Sequence, residues 1–248
     1  MIAKYYSFNN TKKNIFLLSI PVFFSNLALP LVGIIDTGLM GNLGETKFLA
    51  STSIATSVMT MIIWSFGFLR MGTVGIVAQL YSRSDYREIA KTLIRNFLIV
   101  VVISILIILL KSLIVELINS FFIVSTETQN LIKTYISVRV LSVPAELIIY
   151  ILVGFYLGIQ KTKISSLLII TLSIINIVCS SFFVLSLNLD VFGVVLGTLI
   201  ASYFTAILFS IYTYRFILKR FQIKPSFQGI INPPKIIKLI TINFDIFI

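Results

Sequence analysis

The chain has 248 residues, of which 58% are hydrophobic and only 12% are charged, and its net charge is +11. Its mean hydropathy is +1.04, whereas a soluble domain carries about 25% charged residues. The chain has no histidine and a single cysteine, which excludes histidine metal sites, histidine proton relays and an internal disulfide. No glycine-rich phosphate loop or nucleophile elbow occurs either. The composition therefore argues against a soluble enzyme, and we expect neither enzymatic activity nor a cofactor.

Long apolar runs fill most of the chain. Runs of about 20 apolar residues are typical of membrane-spanning helices. Strands of a membrane β-barrel would instead alternate apolar and polar residues, and no segment here does so. We therefore predict an all-α membrane protein, a six-transmembrane-helix bundle. The predicted spans are Ile15–Gly41, Phe48–Leu80, Ala90–Phe122, Leu131–Gln160, Ile164–Leu187 and Val191–Ile217.

Lysine and arginine are distributed unevenly among the connections between the spans. Fifteen of the 20 basic residues lie in the two terminal tails and in the second and fourth connections. Such alternation is the positive-inside signature of membrane proteins, and it predicts that both termini are cytoplasmic. The same distribution argues against nucleic acid as the partner of this basic chain. The bilayer lipids are the partner that it indicates.

The first span contains a carboxylate, Asp36, inside an otherwise apolar run. An ionised carboxylate in hydrocarbon costs about 2.5–3.5 kcal/mol on insertion scales. Pro30 cannot donate a hydrogen bond to the carbonyl of Asn26, so we predict a helix kink at Pro30. Asp36 follows Asn26 by about 15 Å along the helix. It lines either a water-filled cavity or the solvated outer interface.

The second and fourth spans contain further polar residues. In the second span, Arg70 either extends its charge to the interface or pairs with a carboxylate, and Gly72 and Gly75 are small residues suited to close helix packing. In the fourth span, Arg139 and Glu146 are seven residues apart and share a helix face, about 10 Å apart along the axis. Glu146 is therefore either protonated or paired with Arg139 or with a cation on another helix.

Several segments together resemble one known transporter family. They are, in chain order, SIPVFFSNLALPLVGIIDTGLMGNLG, FLRMGTVGIVAQLYSR, SVRVLSVPAELI, LGIQKTK, SIINIV and DVFGVVLGTLIASY. This ordered set is similar to the multidrug and toxin extrusion (MATE) transporters, and most similar to their DinF-like branch. The resemblance covers nearly all of residues 14–220.

The resemblance implies a fold and a function. Members have twelve helices in two six-helix lobes around a central cleft, and they export small organic cations or amphipathic compounds by antiport with protons or sodium. This chain resembles the N-terminal lobe, and Asp36 matches the residue used for ion or proton coupling there. Asp36 would be a metal ligand only if the coupling ion is sodium. The candidates for lining the cavity are Asn26, Arg139, Glu146, Asn176 and Ser180.

The chain departs from the family pattern at three positions. Ser180 stands where relatives often carry an aspartate, and Ser202 where an acidic residue is common. Glu146 stands where relatives usually have a small or apolar residue. Because the carboxylates are redistributed, the resemblance does not fix the coupling ion.

The resemblance also predicts how the chain is organised. Residues 1–13 form a cytoplasmic tail, 14–220 the six-helix lobe, and 221–248 a basic linker with the start of a truncated seventh helix. The function is then multidrug efflux by a half-length chain, which works with a second six-helix half or a second copy. The alternatives are a truncated remnant that does not transport, and a lipid or polysaccharide flippase. The expected location is the bacterial cytoplasmic membrane.

Overall fold

The computed structural model describes residues 8–223, with side chains from residue 19 onward except those of Val22, Phe24, Asn26 and Leu29. Helices fill almost all of this range, and it contains no strand. The helices are α1 (Phe8–Gly41), α2 (Thr46–Ser65), α3 (Gly67–Ser82), α4 (Tyr86–Leu109), α5 (Lys111–Phe121), α6 (Thr126–Gly158), α7 (Thr162–Leu185) and α8 (Asp190–Phe216), followed by a π-helical turn (Ile217–Phe221).

These helices confirm the predicted helical membrane fold. Within the described residues, five stretches are long and apolar enough to cross a membrane: Thr46–Ser82, Tyr86–Leu109, Thr126–Gly158, Thr162–Leu185 and Asp190–Phe221. The first helix adds a shorter apolar segment, Pro30–Gly41, within a helix of 34 residues. Helix α1 begins at Phe8, before the predicted start of the first span at Ile15. The predicted linker and seventh helix lie mostly beyond the described residues.

Two of the predicted spans are broken in the structure. The second span divides into α2 and α3 at Phe66, and the third into α4 and α5 at Leu110. The backbone N–H of Phe66 still donates to the carbonyl of Ile63, at 3.0 Å, and that of Leu110 to the carbonyl of Leu106, also at 3.0 Å. Both breaks thus keep their backbone donors satisfied, as a membrane interior requires.

Helix α6 is the centre of the bundle. It packs against α2, α3, α4, α5, α7 and α8. Of its most apolar 18-residue window, 67% is buried inside the protein, against 28% for the equivalent windows of Thr46–Ser82 and Thr162–Leu185. The other helices therefore expose apolar side chains to the bilayer while α6 is enclosed by protein. Polar groups on α6 consequently have protein rather than lipid around them.

Close packing of α6 against α3 depends on two glycines. A Cβ atom at Gly154 would lie 2.7 Å from the carbonyl oxygen of Arg70, and one at Gly158 would lie 2.8 Å from Cβ of Val77. The spacing of these glycines is the GxxxG pattern of closely packed membrane helices. The prediction for Gly75 was wrong, because a Cβ atom there would meet nothing within 4 Å. The close contact is made by the glycines of the opposite helix.

Helices α7 and α8 approach each other closely at Gly197. A Cβ atom at this position would lie 2.6 Å from the backbone nitrogen of Ser180, so only glycine permits the contact. Helix α1 also packs against α7. Asp36 of α1 and the polar residues of α7 are thereby brought to one region of the bundle.

At the end of α8, aromatic rings hold the described chain to the bundle. The ring of Phe221 stacks on that of Tyr86, with centroids 4.4 Å apart and planes 15° apart. Phe221 also lies 6.5 Å from Tyr81 and 5.5 Å from Phe216, in an edge-to-face arrangement. The π-helical turn therefore ends against the connection between α3 and α4.

Candidate functional site

Asp36 lies near the C-terminal end of α1. It precedes Gly41, the last residue of this helix, by about 8 Å along the axis. Its side chain is half-buried, and its Oδ1 atom is fully buried without a hydrogen-bond partner among the described residues. The groups that act on this carboxyl are the guanidinium of Arg139 and the hydroxyl of Ser180. A buried carboxylate oxygen without a donor is a candidate site for a proton or a cation.

The predicted pairing of Arg139 with Glu146 is present on α6. Nη1 of Arg139 donates to Oε1 of Glu146, and Nη2 donates to Oε2 at 3.1 Å. Ser142, between them in sequence, donates its hydroxyl to Oε1 of Glu146 at 2.8 Å. A bidentate arginine–carboxylate pair is among the strongest side-chain interactions. Glu146 therefore has its cation on its own helix.

Asn176 and Ser180 belong to a hydrogen-bond network between α7 and α8. Nδ2 of Asn176 donates to Oγ1 of Thr198 at 3.0 Å. The hydroxyl of Ser180 is 3.4 Å both from Oδ1 of Asn176 and from the carbonyl oxygen of Val194. Both Asn176 and Ser180 are buried. The network places oxygen atoms on the face of α7 that Asp36 approaches.

The charges of this region do not balance. Asp36 and Glu146 supply two carboxylates, while Arg139 is the cation that acts on both. When all three groups are ionised, the cluster carries one excess negative charge. Because Arg139 is bound to both oxygens of Glu146, Asp36 is the carboxylate that has no ion-pair partner of its own among the described residues. One proton or one monovalent cation would neutralise the cluster.

Sequence reasoning identified the charged members of this cluster but missed several of its hydroxyl groups. The hydroxyl of Tyr135 is 2.9 Å from Oγ1 of Thr56, and Tyr135 also lies within electrostatic range of Asp36 and Arg139. Tyr135 precedes Arg139 by four residues, a spacing that puts both on one helix face. This four-residue spacing is the sequence pattern from which Tyr135 could have been predicted as a member of the cluster.

The structure positions four of the five predicted cavity-lining residues. Arg139, Glu146, Asn176 and Ser180 all lie in or next to the cluster around Asp36, while the side chain of Asn26 is outside the described part. Helix α1 remains helical through Pro30. Among residues 8–223, no group of three or more His, Cys, Asp or Glu side chains could hold a metal ion.

A separate cavity of about 400 Å³ lies between α1, α3, α6 and α7. Its polar lining residues are Arg70, Ser25, Ser165 and Ser166. The hydroxyls of Ser25 and Ser166 are 3.5 Å apart. None of the predicted site residues with a described side chain lines this cavity.

Comparison with known families agrees with this architecture. The MatE family model matches residues 21–182, which is more than half of the chain. The chain belongs to the MatE family. The match includes α1 from Pro21 onward, the whole of α6 and most of α7, so it covers every charged residue of the cluster around Asp36.

Two curated relatives are similar to this MatE chain over most of its length. It is 29% identical over 199 residues to DNA damage-inducible protein F of Escherichia coli strain K12, covering 80% of this chain and 43% of the relative. It is 22% identical over 249 residues to multidrug export protein MepA of Staphylococcus saprophyticus, covering 98% and 54%. The chain thus spans about half the length of the curated relatives that it matches.

Solved structures share the fold of this MatE chain. One is an outward-facing multidrug resistance MATE family transporter of the MOP superfamily, which matches with a TM-score of 0.80 at 21% identity. The match covers 92% of this chain and 50% of that transporter. The fold is therefore that of half a MATE transporter.

Proposed function

We propose that this MatE chain is the cation-coupled half of an exporter of small organic cations or amphipathic compounds. The observation that carries the proposal is the excess negative charge of the cluster formed by Asp36, Arg139 and Glu146. The name of the relative from Staphylococcus saprophyticus, a multidrug export protein, supports the class of substrate. The fold shared with MATE transporters supports the transport mode.

Asp36 is the coupling residue in this proposal. With a proton or sodium bound, the cluster is neutral, and the electrostatic attraction between Arg139 and the carboxyl group of Asp36 on α1 is weak. Without the cation, the ionised carboxylate attracts Arg139, which is fixed on the central helix α6. Pro30 interrupts the hydrogen bonds of α1 on the N-terminal side of Asp36, so the helix can bend there. Occupation of Asp36 would thus be linked to the tilt of the outer half of α1.

Export also needs a second wall for the cleft. Alternating access in such folds arises when one helix bundle rocks against another around a site between them. We propose that the second wall is either a separate six-helix half or a second copy of this chain. With six spans, both halves have the same orientation and can be related by an axis along the membrane normal. We expect a single copy of the chain not to transport without such a second wall.

The orientation of the spans is a part of this proposal that can be tested alone. We place the protein in the bacterial cytoplasmic membrane with both termini in the cytoplasm, because its basic residues lie in alternate connections. Reporter fusions after Asn42, Thr126 and Asn188 should then report the outside, and fusions after Arg83 and Thr162 the inside. Reversal of two or more fusions would contradict the orientation.

Transport itself is tested with a chimera. This chain replaces the part of the multidrug export protein of Staphylococcus saprophyticus that it matches, and the purified chimera is placed in liposomes with an imposed proton or sodium gradient. We expect movement of ethidium, a fluorescent organic cation, that depends on one of the two gradients. The parent exporter is the positive control.

The outcomes separate the parts of the proposal. A folded chimera without gradient-dependent flux, alongside an active parent, would contradict the export function. Flux by the isolated chain would instead show that two copies form the cleft, and chemical crosslinking of the dimer would then be expected. Flux of a fluorescent lipid in place of ethidium would favour a flippase.

A further inference from the structure

The cavity of about 400 Å³ has a polar part and an apolar part. Arg70 on α3 and the buried serines Ser25, Ser165 and Ser166 supply the polar groups. The remaining lining residues are Met71, Val74, Val153, Leu157 and Ile169. Its volume falls in the range of about 300–1,000 Å³ that is typical of small-molecule sites. The cavity shares no residue with the cluster around Asp36.

Arg70 is exposed on the bundle, whereas Arg95 and Arg139 are buried. Arg95 pairs with Glu88, with 2.7 Å between Nη1 and Oε1, and Arg139 pairs with Glu146. Arg70 forms no ion pair with any residue of the described range. Its guanidinium lies 5.8 Å from the ring centroid of Tyr150, a contact that orients the charge without neutralising it.

The position of Arg70 along α3 gives a reason to expect an anion beside it. Arg70 lies twelve residues before the end of α3 at Ser82, which is about 18 Å along the helix axis. The hydrocarbon core of a bilayer is about 30 Å thick. A cationic side chain at that depth is costly unless an anion or water accompanies it. Glu146 is not available, because it is bound at both oxygens by Arg139.

We propose that this cavity binds an amphipathic anion. The carboxylate or phosphate group of the ligand would be bound by the guanidinium of Arg70, which presents paired N–H donors suited to such groups. The hydroxyls of Ser165 and Ser166 would donate to the same group, and the apolar tail would lie along Val74, Val153 and Ile169. This site is additional to the cation-coupled export proposed above, and it has the opposite charge preference.

The probe for this site is a decanoic acid that carries a photoreactive diazirine. It is added to the purified chain in phosphatidylcholine nanodiscs, and labelled residues are mapped by mass spectrometry after irradiation. We expect labelling at cavity residues of α3 and α7, with Val74 and Ile169 as the markers. Unlabelled decanoate should compete, whereas decanol and decylamine should not. Equal competition by decanol, or labelling only at lipid-facing residues, would overturn the proposal.

Substitutions test the role of the charge. Arg70→Gln should lower labelling of the cavity about tenfold, since it removes a charged hydrogen-bond donor, while Arg70→Lys should retain most of it. Arg83→Gln, which removes an exposed arginine just beyond the end of α3, is the matched control and should label like the parent. Val74→Phe keeps the charge but fills the cavity, and should also reduce labelling. Full labelling of Arg70→Gln would overturn the proposal.

A second set of nanodiscs identifies the source of the anion. When phosphatidylglycerol replaces part of the phosphatidylcholine, loss of labelling would show that the head group of an anionic membrane lipid occupies the cavity. Unchanged labelling would show that the site prefers a free amphiphile. Either result agrees with an anion site, because both depend on the positive charge at Arg70.

Discussion

Replacing Asp36 with asparagine should reduce gradient-driven ethidium export by the chimera to the level of empty liposomes. Asparagine has nearly the same shape as aspartate, but it can neither take up a proton nor supply negative charge to a sodium ion. A coupling site must bind the cation with different affinity in the two conformations. The Asp36→Asn variant binds it in neither, so the gradient cannot drive export. Insertion and folding should be unchanged, as measured by membrane yield and thermal stability.

The matched control is Glu116→Gln. Glu116 lies on α5, is exposed and is outside the cluster of Asp36, Arg139 and Glu146, so its neutralisation should leave export intact. Export that persists in Asp36→Asn at the rate of Glu116→Gln would rule out the coupling role. The choice between proton and sodium follows from the parent chimera, since only the imposed gradient of the true coupling ion should drive ethidium movement.

The Asp36→Asn substitution can also be examined in the isolated chain, without a second six-helix half. Infrared spectra of the isolated chain should contain a carbonyl band of a protonated carboxyl group at low pH, and Asp36→Asn should remove part of that band. If sodium is the coupling ion, adding sodium chloride at constant pH should also reduce it, whereas choline chloride should not. A band that is identical in the parent and in Asp36→Asn would place the titrating carboxyl elsewhere.

Replacing Arg139 with leucine should produce the largest loss of stability among changes to the site. It would leave Glu146 as a buried carboxylate without its bidentate partner, and breaking a buried pair in this way costs about 3–5 kcal/mol. The double variant Arg139→Leu with Glu146→Leu should recover most of that loss, because no unpaired carboxylate then remains on α6. The measurement is the free energy of unfolding from titration with sodium dodecyl sulfate in mixed micelles.

An exposed ion pair supplies the comparison. Nζ of Lys47, at the start of α2, is 3.1 Å from Oε2 of Glu127, at the start of α6, and the side chain of Glu127 is 74% exposed. Lys47→Ala should change the free energy of unfolding by less than about 1 kcal/mol. If Arg139→Leu were equally mild, or if the double variant were as unstable as the single one, the Arg139–Glu146 pair would not stabilise the bundle as described.

Much of the fold could be predicted because it depends on local sequence. Apolar runs give the spans, and the seven-residue spacing of Arg139 and Glu146 puts them on one helix face. The breaks at Phe66 and Leu110 were not predicted, although Phe66 lies between Ser65 and Gly67 and Leu110 is followed by Lys111. The glycine prediction failed at Gly75 because small residues indicate close packing only where another helix approaches, and the approach occurs at Gly154 and Gly158.

The environment of Asp36 depends on contacts that no local pattern records. Sequence reasoning placed this carboxylate in an apolar helix, but its proximity to Arg139 and Ser180 arises from the packing of α1 against α7 and of α7 against α6. The cavity at Arg70 is of the same kind, because its lining residues come from four helices. Such sites become visible only once helix neighbours are known.

The stacking of Phe221 on Tyr86 has a mechanical consequence. Because the end of α8 is fixed to the α3–α4 connection, any rotation of the bundle moves the point where the chain leaves it by the same angle. The chain that follows residue 223 therefore leaves the bundle at a fixed point.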